Sequence, residues 1–93
     1  MASKPQDEFQ ALIEDHKGIL YKVCRSYCRN AADRDDLAQE ILVQLWHAFP
    51  SFDGRARFST WMYRIALNVA ISFLRRESTR TRHVLSSEEH VLE

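Results

Sequence analysis

The residues best equipped for chemistry in this chain bind rather than react. Spaced at 100° around a helix, Trp61, Arg64, Asn68 and Arg75 fall on one narrow stripe. Arginine forks fit phosphate oxygens, and an asparagine amide can pair with an adenine edge. An indole offers a face on which an unstacked base can lie. The same spacing also describes an indole turned into a core beside a solvated cationic face, and spacing alone leaves both readings open.

The remaining polar clusters have simpler uses. Asp33, Asp35 and Asp36 put three carboxylates where a helix begins, which favours capping and dipole compensation over cation binding. Cys24 and Cys28 stand four apart inside a helical pattern and read as small buried residues of a reducing compartment. His16 falls on an apolar stripe and reads as a core or boundary residue, and no fourth ligand accompanies it and the cysteines into a metal site. No nucleophile–base pair and no glycine-rich phosphate loop is recognisable, so neither an enzyme nor a cofactor or metal is expected.

The elements that must position these residues are helices. Ninety-three residues make one small domain, and only two Gly and two Pro interrupt it. Scarce breakers favour an all-α fold, a compact bundle of three main helices with short loops, over hairpins. No apolar run approaches the ~20 residues of a membrane span, and the polar N-terminus lacks a signal-peptide core. A cytoplasmic chain without a membrane partner is expected. Charge totals zero but is unevenly placed: net −3 over residues 1–54 and net +6 over residues 55–83, all of that positive charge from Arg. Such a block leans toward nucleic acid, while overall neutrality implies modest DNA affinity for the isolated domain.

Periodicity predicts a first helix over about Asp7–Arg29, with Phe9, Leu12, Ile13, His16, Leu20, Val23, Cys24 and Tyr27 on its apolar stripe. A second helix is predicted from an Asp33 cap, with Asp36 in capping-box position, to Phe49 ahead of Pro50. Leu37, Ile41, Leu45 and Ala48 form its inner stripe. Its outer face carries Asp36, Gln39, Glu40 and His47 around Val43, with Leu42 and Trp46 flanking. Apolar groups inside a polar rim mark a partner site. A loop through Asp53, Gly54, Arg55 and Arg57 leads to a third helix, capped by Ser59 or Thr60 and reaching Glu77. Its core line is predicted as Phe58, Met62, Ile65, Val69 and Phe73. Leu67, Ala70 and Leu74 on another side imply that neighbours largely wrap it. Residues 1–6 are expected to be disordered, 7–78 to form the domain and 79–93 a linker or tail, with Leu92 and Glu93 as candidate non-native residues.

Asp35-Asp-Leu-Ala-Gln-Glu40, an apolar helix to Trp46, Phe52 with a short loop, then Phe58-Ser-Thr-Trp-Met-Tyr-Arg-Ile-Ala-Leu-Asn68 and Leu74-Arg-Arg76 resemble the second region of bacterial sigma factors. The match is to the small extracytoplasmic-function group and runs from about residue 8 to 82. The resemblance implies docking on the clamp coiled coil of the RNA polymerase largest subunit through Asp36, Gln39 and Glu40, with Leu42, Val43 and Trp46 as apolar partners. It further implies that the loop and third helix recognise the promoter minus-ten element and hold its non-template strand open. Asp53, Gly54, Arg55 and Arg57 would shape a pocket for a flipped base, beside Ser59 and Thr60. Trp61 would meet the melted strand, Asn68 the upstream edge, and Arg64, Arg75 and Arg76 the phosphates.

Two departures stand out. Housekeeping sigma factors carry adjacent tryptophans where this chain has Tyr63-Arg64-Ile65, which fits the small group and implies less forgiving melting. Many relatives place an Asp shortly after the helix Asn, where Ile71 and Ser72 stand here. The family implies an anti-sigma protein as a regulator and a further domain reading the minus-thirty-five element. The rival readings are a helical module that binds an anti-sigma or other regulator without reading DNA, and a helix-turn-helix duplex reader. The loop around Asp53-Gly54 is too long for the latter.

Overall fold

The computed structural model describes residues 5–92, with side chains described through residue 78. Its elements are α1 (Pro5–Asp15), α2 (Lys17–Tyr27), α3 (Ala31–Ala48), a 3-10 turn at Phe49–Ser51, and α4 (Phe58–Leu92). No strand occurs among the described residues, as the all-α expectation requires.

Helix α3 supplies the centre. Leu37, Ile41 and Leu45 recur each turn on one face and are 0% exposed. They share a single buried cluster with Leu20, Val23 and Cys24 of α2 and with Met62, Ala66, Ala70 and Phe73 of α4. Ala66 and Ala70 add little bulk, so the α4 backbone can lie close against its neighbours. Neither was on the predicted core line of that helix, where Ile65 and Val69 proved only half-buried.

The helix expected over residues 7–29 is broken once. His16 leaves the helical conformation with φ −116° and ψ 15°, separating α1 from α2. Its backbone N–H reaches the carbonyls of both Leu12 and Ile13, each at 3.1 Å, and its Nδ1 donates to Leu12 O at 2.8 Å. A ring nitrogen that satisfies a last-turn carbonyl lets the helix end there. The ring then lies against Phe58, centroids 5.0 Å apart. His16 is thus the boundary residue its position indicated.

The start of α3 falls three residues earlier than expected. Asn30, with φ −115° and ψ 161°, is the cap. Its Oδ1 accepts the Asp33 N–H at 2.8 Å while its Nδ2 donates to Asp33 Oδ2 at 2.9 Å. Asn30 therefore takes the capping role expected of Asp33, and the Asp33 carboxylate accepts from the side-chain amide of that cap rather than from its backbone N–H. At its other end α3 stops at Ala48, and Pro50 sits inside the short 3-10 turn. The first helix opens earlier too, with Pro5 at a position where its missing N–H costs nothing. Residues 1–4 and Glu93 lie outside the described residues.

Helix α4 differs most from expectation. It begins at Phe58, so Ser59 and Thr60 lie within its first turn and do not cap it. It continues to Leu92 rather than ending near Glu77, in a stretch free of Gly and Pro after Gly54. Nor is it wrapped all round, because Tyr63, Ile71 and Leu74 remain substantially exposed.

Two substitutions separate core from cap. Ile41→Ala should cost about 2–5 kcal/mol, since its site is closed on all sides. Asn30→Ala should cost about 1 kcal/mol. Urea melts followed by circular dichroism give both values, and equal losses would contradict this hierarchy.

Candidate functional site

With its inner stripe buried, α3 presents an outer face that splits between two grooves. Asp36 and Gln39 are exposed and Glu40 is half-buried. Val43, 49% exposed, joins Gln39, Glu40 and Gln44 along a groove whose far wall is Asn68, Val69, Ser72 and Arg76 of α4. Leu42 and Trp46 turn the other way, into a groove walled by Phe9, Gln10 and Ile13 of α1. Trp46 packs on Phe9 with centroids 5.1 Å apart yet stays 41% exposed. The six residues expected to form one docking face therefore lie along a ridge with a groove on either side.

One pairing crosses the expected division of labour. Glu40, expected to meet a protein, forms an ion pair and hydrogen bond with Arg76, expected to meet phosphate. The Arg76 guanidinium also lies over the Phe73 ring at 5.9 Å. Arg76 thus belongs to the α3–α4 groove, apart from the stripe that carries Arg64 and Arg75.

That stripe faces solvent: Arg64, Asn68 and Arg75 are all exposed. Trp61 is not a free platform. It is half-buried in an aromatic cluster, 5.0 Å from Phe52, 5.4 Å from Phe58 and 6.4 Å from Phe49 between centroids. The two readings of the stripe therefore divide, with the indole partly in the core and the cations and amide outside it.

The loop between the 3-10 turn and α4 is pinned by the same rings. Phe52 and Phe58, at its two ends, meet edge to face at 5.7 Å. Between them, residues 53–57 are all exposed. Asp53 Oδ1 accepts the Arg55 N–H at 3.0 Å and its Oδ2 pairs with Arg55 Nε at 3.1 Å. Gly54, at φ +80°, occupies the left-handed region that a side chain disfavours. Ser59 is half-buried and Thr60 exposed at the foot of the loop. No functional role was assigned from sequence to Phe49 or Gln44, and Phe52 and Ser72 entered only through the resemblance, as part of its pattern and as a departure from it. The three-residue steps from Phe49 to Phe52 and from Phe58 to Trp61 were the signal available.

Elsewhere the chemistry is quiet. Burial raises the Cys24 and Cys28 thiols above their ordinary range; Cys28 and Asp35 add to the effect at Cys24, while at Cys28 Asp33 and Glu77 add to it and Arg34 opposes it. No group of side chains suited to a metal ion occurs among the described residues. Nor, among them, is any helix long and apolar enough to cross a membrane.

The family described as Sigma-70 region 2 matches residues 12–80, and the chain belongs to it. It is 35% identical over 72 residues to the ECF RNA polymerase sigma factor SigW of Bacillus subtilis, covering 77% of this chain and 38% of that protein. It is 37% identical over 67 residues to the RNA polymerase sigma factor CnrH of Cupriavidus metallidurans, covering 72% and 35% respectively. With the ECF sigma factor SigG of Mycobacterium tuberculosis it shares 32% identity over 73 residues, 78% of this chain and 20% of that protein. The chain thus spans well under half the length of these relatives. No solved structure matches it. Family membership, rather than any missing triad, places the chain among transcription factors of the extracytoplasmic-function type and not among enzymes.

The packing of Trp61 sets its mutational signature. Trp61→Ala should lose about 1–3 kcal/mol of stability, whereas Arg64→Ala should stay within about 0.5 kcal/mol of the parent. Thermal melts of the two variants check the contrast, and equal stabilities would place the indole outside the cluster. Cys24 and Cys28 should react slowly with a thiol reagent at neutral pH and rapidly once denatured. Fast labelling of the native domain would show that the thiols are not shielded.

Proposed function

We propose that this domain docks on the clamp coiled coil of the RNA polymerase largest subunit and reads and melts the promoter minus-ten element during initiation. The observation that carries the reading is a pair of unlike surfaces on adjacent helices. The α3 ridge offers Asp36, Gln39 and Glu40 around exposed Val43, while α4 offers Arg64, Asn68 and Arg75 beside an arched loop. Acidic and amide groups around an apolar centre fit a protein partner. Exposed arginines and an amide fit a strand whose phosphates must be held while a base is turned out.

In this reading the ridge binds first and delivers α4 to the promoter. Arg64 and Arg75 track phosphates of the non-template strand and Asn68 meets the upstream edge. Residues Asp53, Gly54, Arg55 and Arg57 shape the pocket for the flipped base, with Ser59 and Thr60 at its base. Trp61 stiffens that pocket from behind and lends only its exposed edge to the strand. Stacking contributes ~1–3 kcal/mol per base, so a partly buried indole leaves more of the cost of flipping to the loop. Arg76, tied to Glu40, takes part at the junction of the two surfaces. The setting is cytoplasmic, and an anti-sigma protein covering one or both surfaces is the expected regulator.

Gln39→Ala should weaken binding of a clamp coiled-coil fragment by about tenfold, the size of a good interface contact. Arg64→Ala should leave that binding unchanged. It should weaken a minus-ten single strand across sequences and lower the salt slope by about one phosphate contact. Fluorescence anisotropy at several salt concentrations reads both. Unchanged affinities in both assays would overturn the assignment.

A further inference from the structure

Arg75 and Arg76 are adjacent in sequence and were expected to share one task, the holding of phosphates. A helical step of about 100° separates them, so they leave α4 in different directions. Arg75 is exposed, on the stripe of Arg64 and Asn68. Arg76 instead lines a hollow between α3 and α4 together with Asp36, Gln39, Glu40, Phe73 and Glu77. It also lines the groove that holds Val43 and Ser72, again beside Gln39 and Glu40. Arg64 and Arg75 line neither.

These surroundings make Arg76 a poor phosphate ligand. It is one cation among the three carboxylates Asp36, Glu40 and Glu77. A phosphate brought to it would meet those like charges as well, which is costly. The guanidinium is also engaged already, with Nη2 donating to Glu40 Oε2. Its carbon lies 5.9 Å from the centre of the Phe73 ring, and that ring is only 6% exposed. A cation resting on a ring fixed by the core has few other positions open to it. An ion pair at the surface adds little to stability, so its geometry bears more on what it presents than on the fold.

We propose that Arg76 is a positioning residue of the polymerase-docking surface and makes no phosphate contact. Seated on Phe73, it holds the Glu40 carboxylate by Oε2 and leaves Oε1 to accept from a donor of the partner. A carboxylate whose orientation is already set loses less freedom when the partner arrives. The assignment deepens the docking reading and rests on it; the promoter reading is not required.

The test titrates the labelled full chain with a clamp coiled-coil fragment and, separately, with a minus-ten single strand at several salt concentrations. Arg76→Ala should weaken the fragment about fivefold, the size of one coupled contact. Glu40→Ala should weaken it too, and adding Arg76→Ala to that variant should bring no further loss. Arg76→Lys keeps the charge without the fork and should recover part of the affinity. Melting temperatures of the Arg76 variants should match the parent. On the single strand, Arg75→Ala should lower the salt slope by about one contact, and Arg76→Ala should not.

Parent-like binding of the fragment by Arg76→Ala, while Gln39→Ala still loses affinity, would overturn the proposal and leave the docking reading standing. So would additive losses in the double variant, a melting temperature that falls in step with affinity, or a lower salt slope in Arg76→Ala. A parent chain that never binds the fragment would sink the docking reading and the proposal with it.

Discussion

The arrangement depends on the close seam between α3 and α4. Leu37, Ile41 and Leu45 are fully buried in a cluster to which α4 contributes the small Ala66 and Ala70, which let the two helices come near. Enlarging either alanine would overpack the seam and force the helices apart. That proximity sets where function can sit. With one face of each helix spent on the shared core, the remaining faces become neighbouring surfaces of opposite character. The Glu40–Arg76 pair marks their meeting line. An exposed pair contributes only about 0–1 kcal/mol, so it fixes the junction without locking it.

The second constraint is aromatic. Phe9, Trp46, Phe49, Phe52, Trp61 and Phe58 form a chain of ring contacts from α1, past the end of α3, into the loop and onto α4. Both ends of the loop are held in it, so residues 53–57 arch outward from fixed feet. Turn chemistry at Asp53 and the left-handed Gly54 completes the arch. A preformed loop loses less conformational entropy on binding, which would favour the proposed function, where turning out a base carries its own cost. Trp61 serves this scaffold with most of its ring.

Much of this was legible in the sequence. The inner stripe of α3 and the solvent-facing run Arg64, Asn68, Arg75 follow from helical spacing alone, because burial on one face repeats every third or fourth residue. What spacing could not reveal were events decided by single side chains. The break at His16 depends on a ring nitrogen reaching the Leu12 carbonyl. The cap at Asn30 was hidden by three equally suitable aspartates just beyond it, any of which could open a helix. The exposed positions of α4 were misjudged because an apolar position looks the same whether a neighbour covers it or not, and its length because the polar run from Glu77 to His83 carries no apolar stripe. Likewise Leu42 and Val43, adjacent in sequence, look into different grooves. The functional surfaces were read as patches, and the structure turns them into a ridge, an arch and a junction.

The central claim is that two independent surfaces sit on one core, one for the polymerase and one for the promoter strand. The most direct measurement titrates a fluorescent minus-ten non-template oligonucleotide into the domain, alone and with a saturating clamp coiled-coil fragment. The account predicts a ternary complex, with oligonucleotide affinity maintained or improved when the fragment is bound. Displacement of the oligonucleotide by the fragment would mean that the two surfaces are one, and would contradict the account.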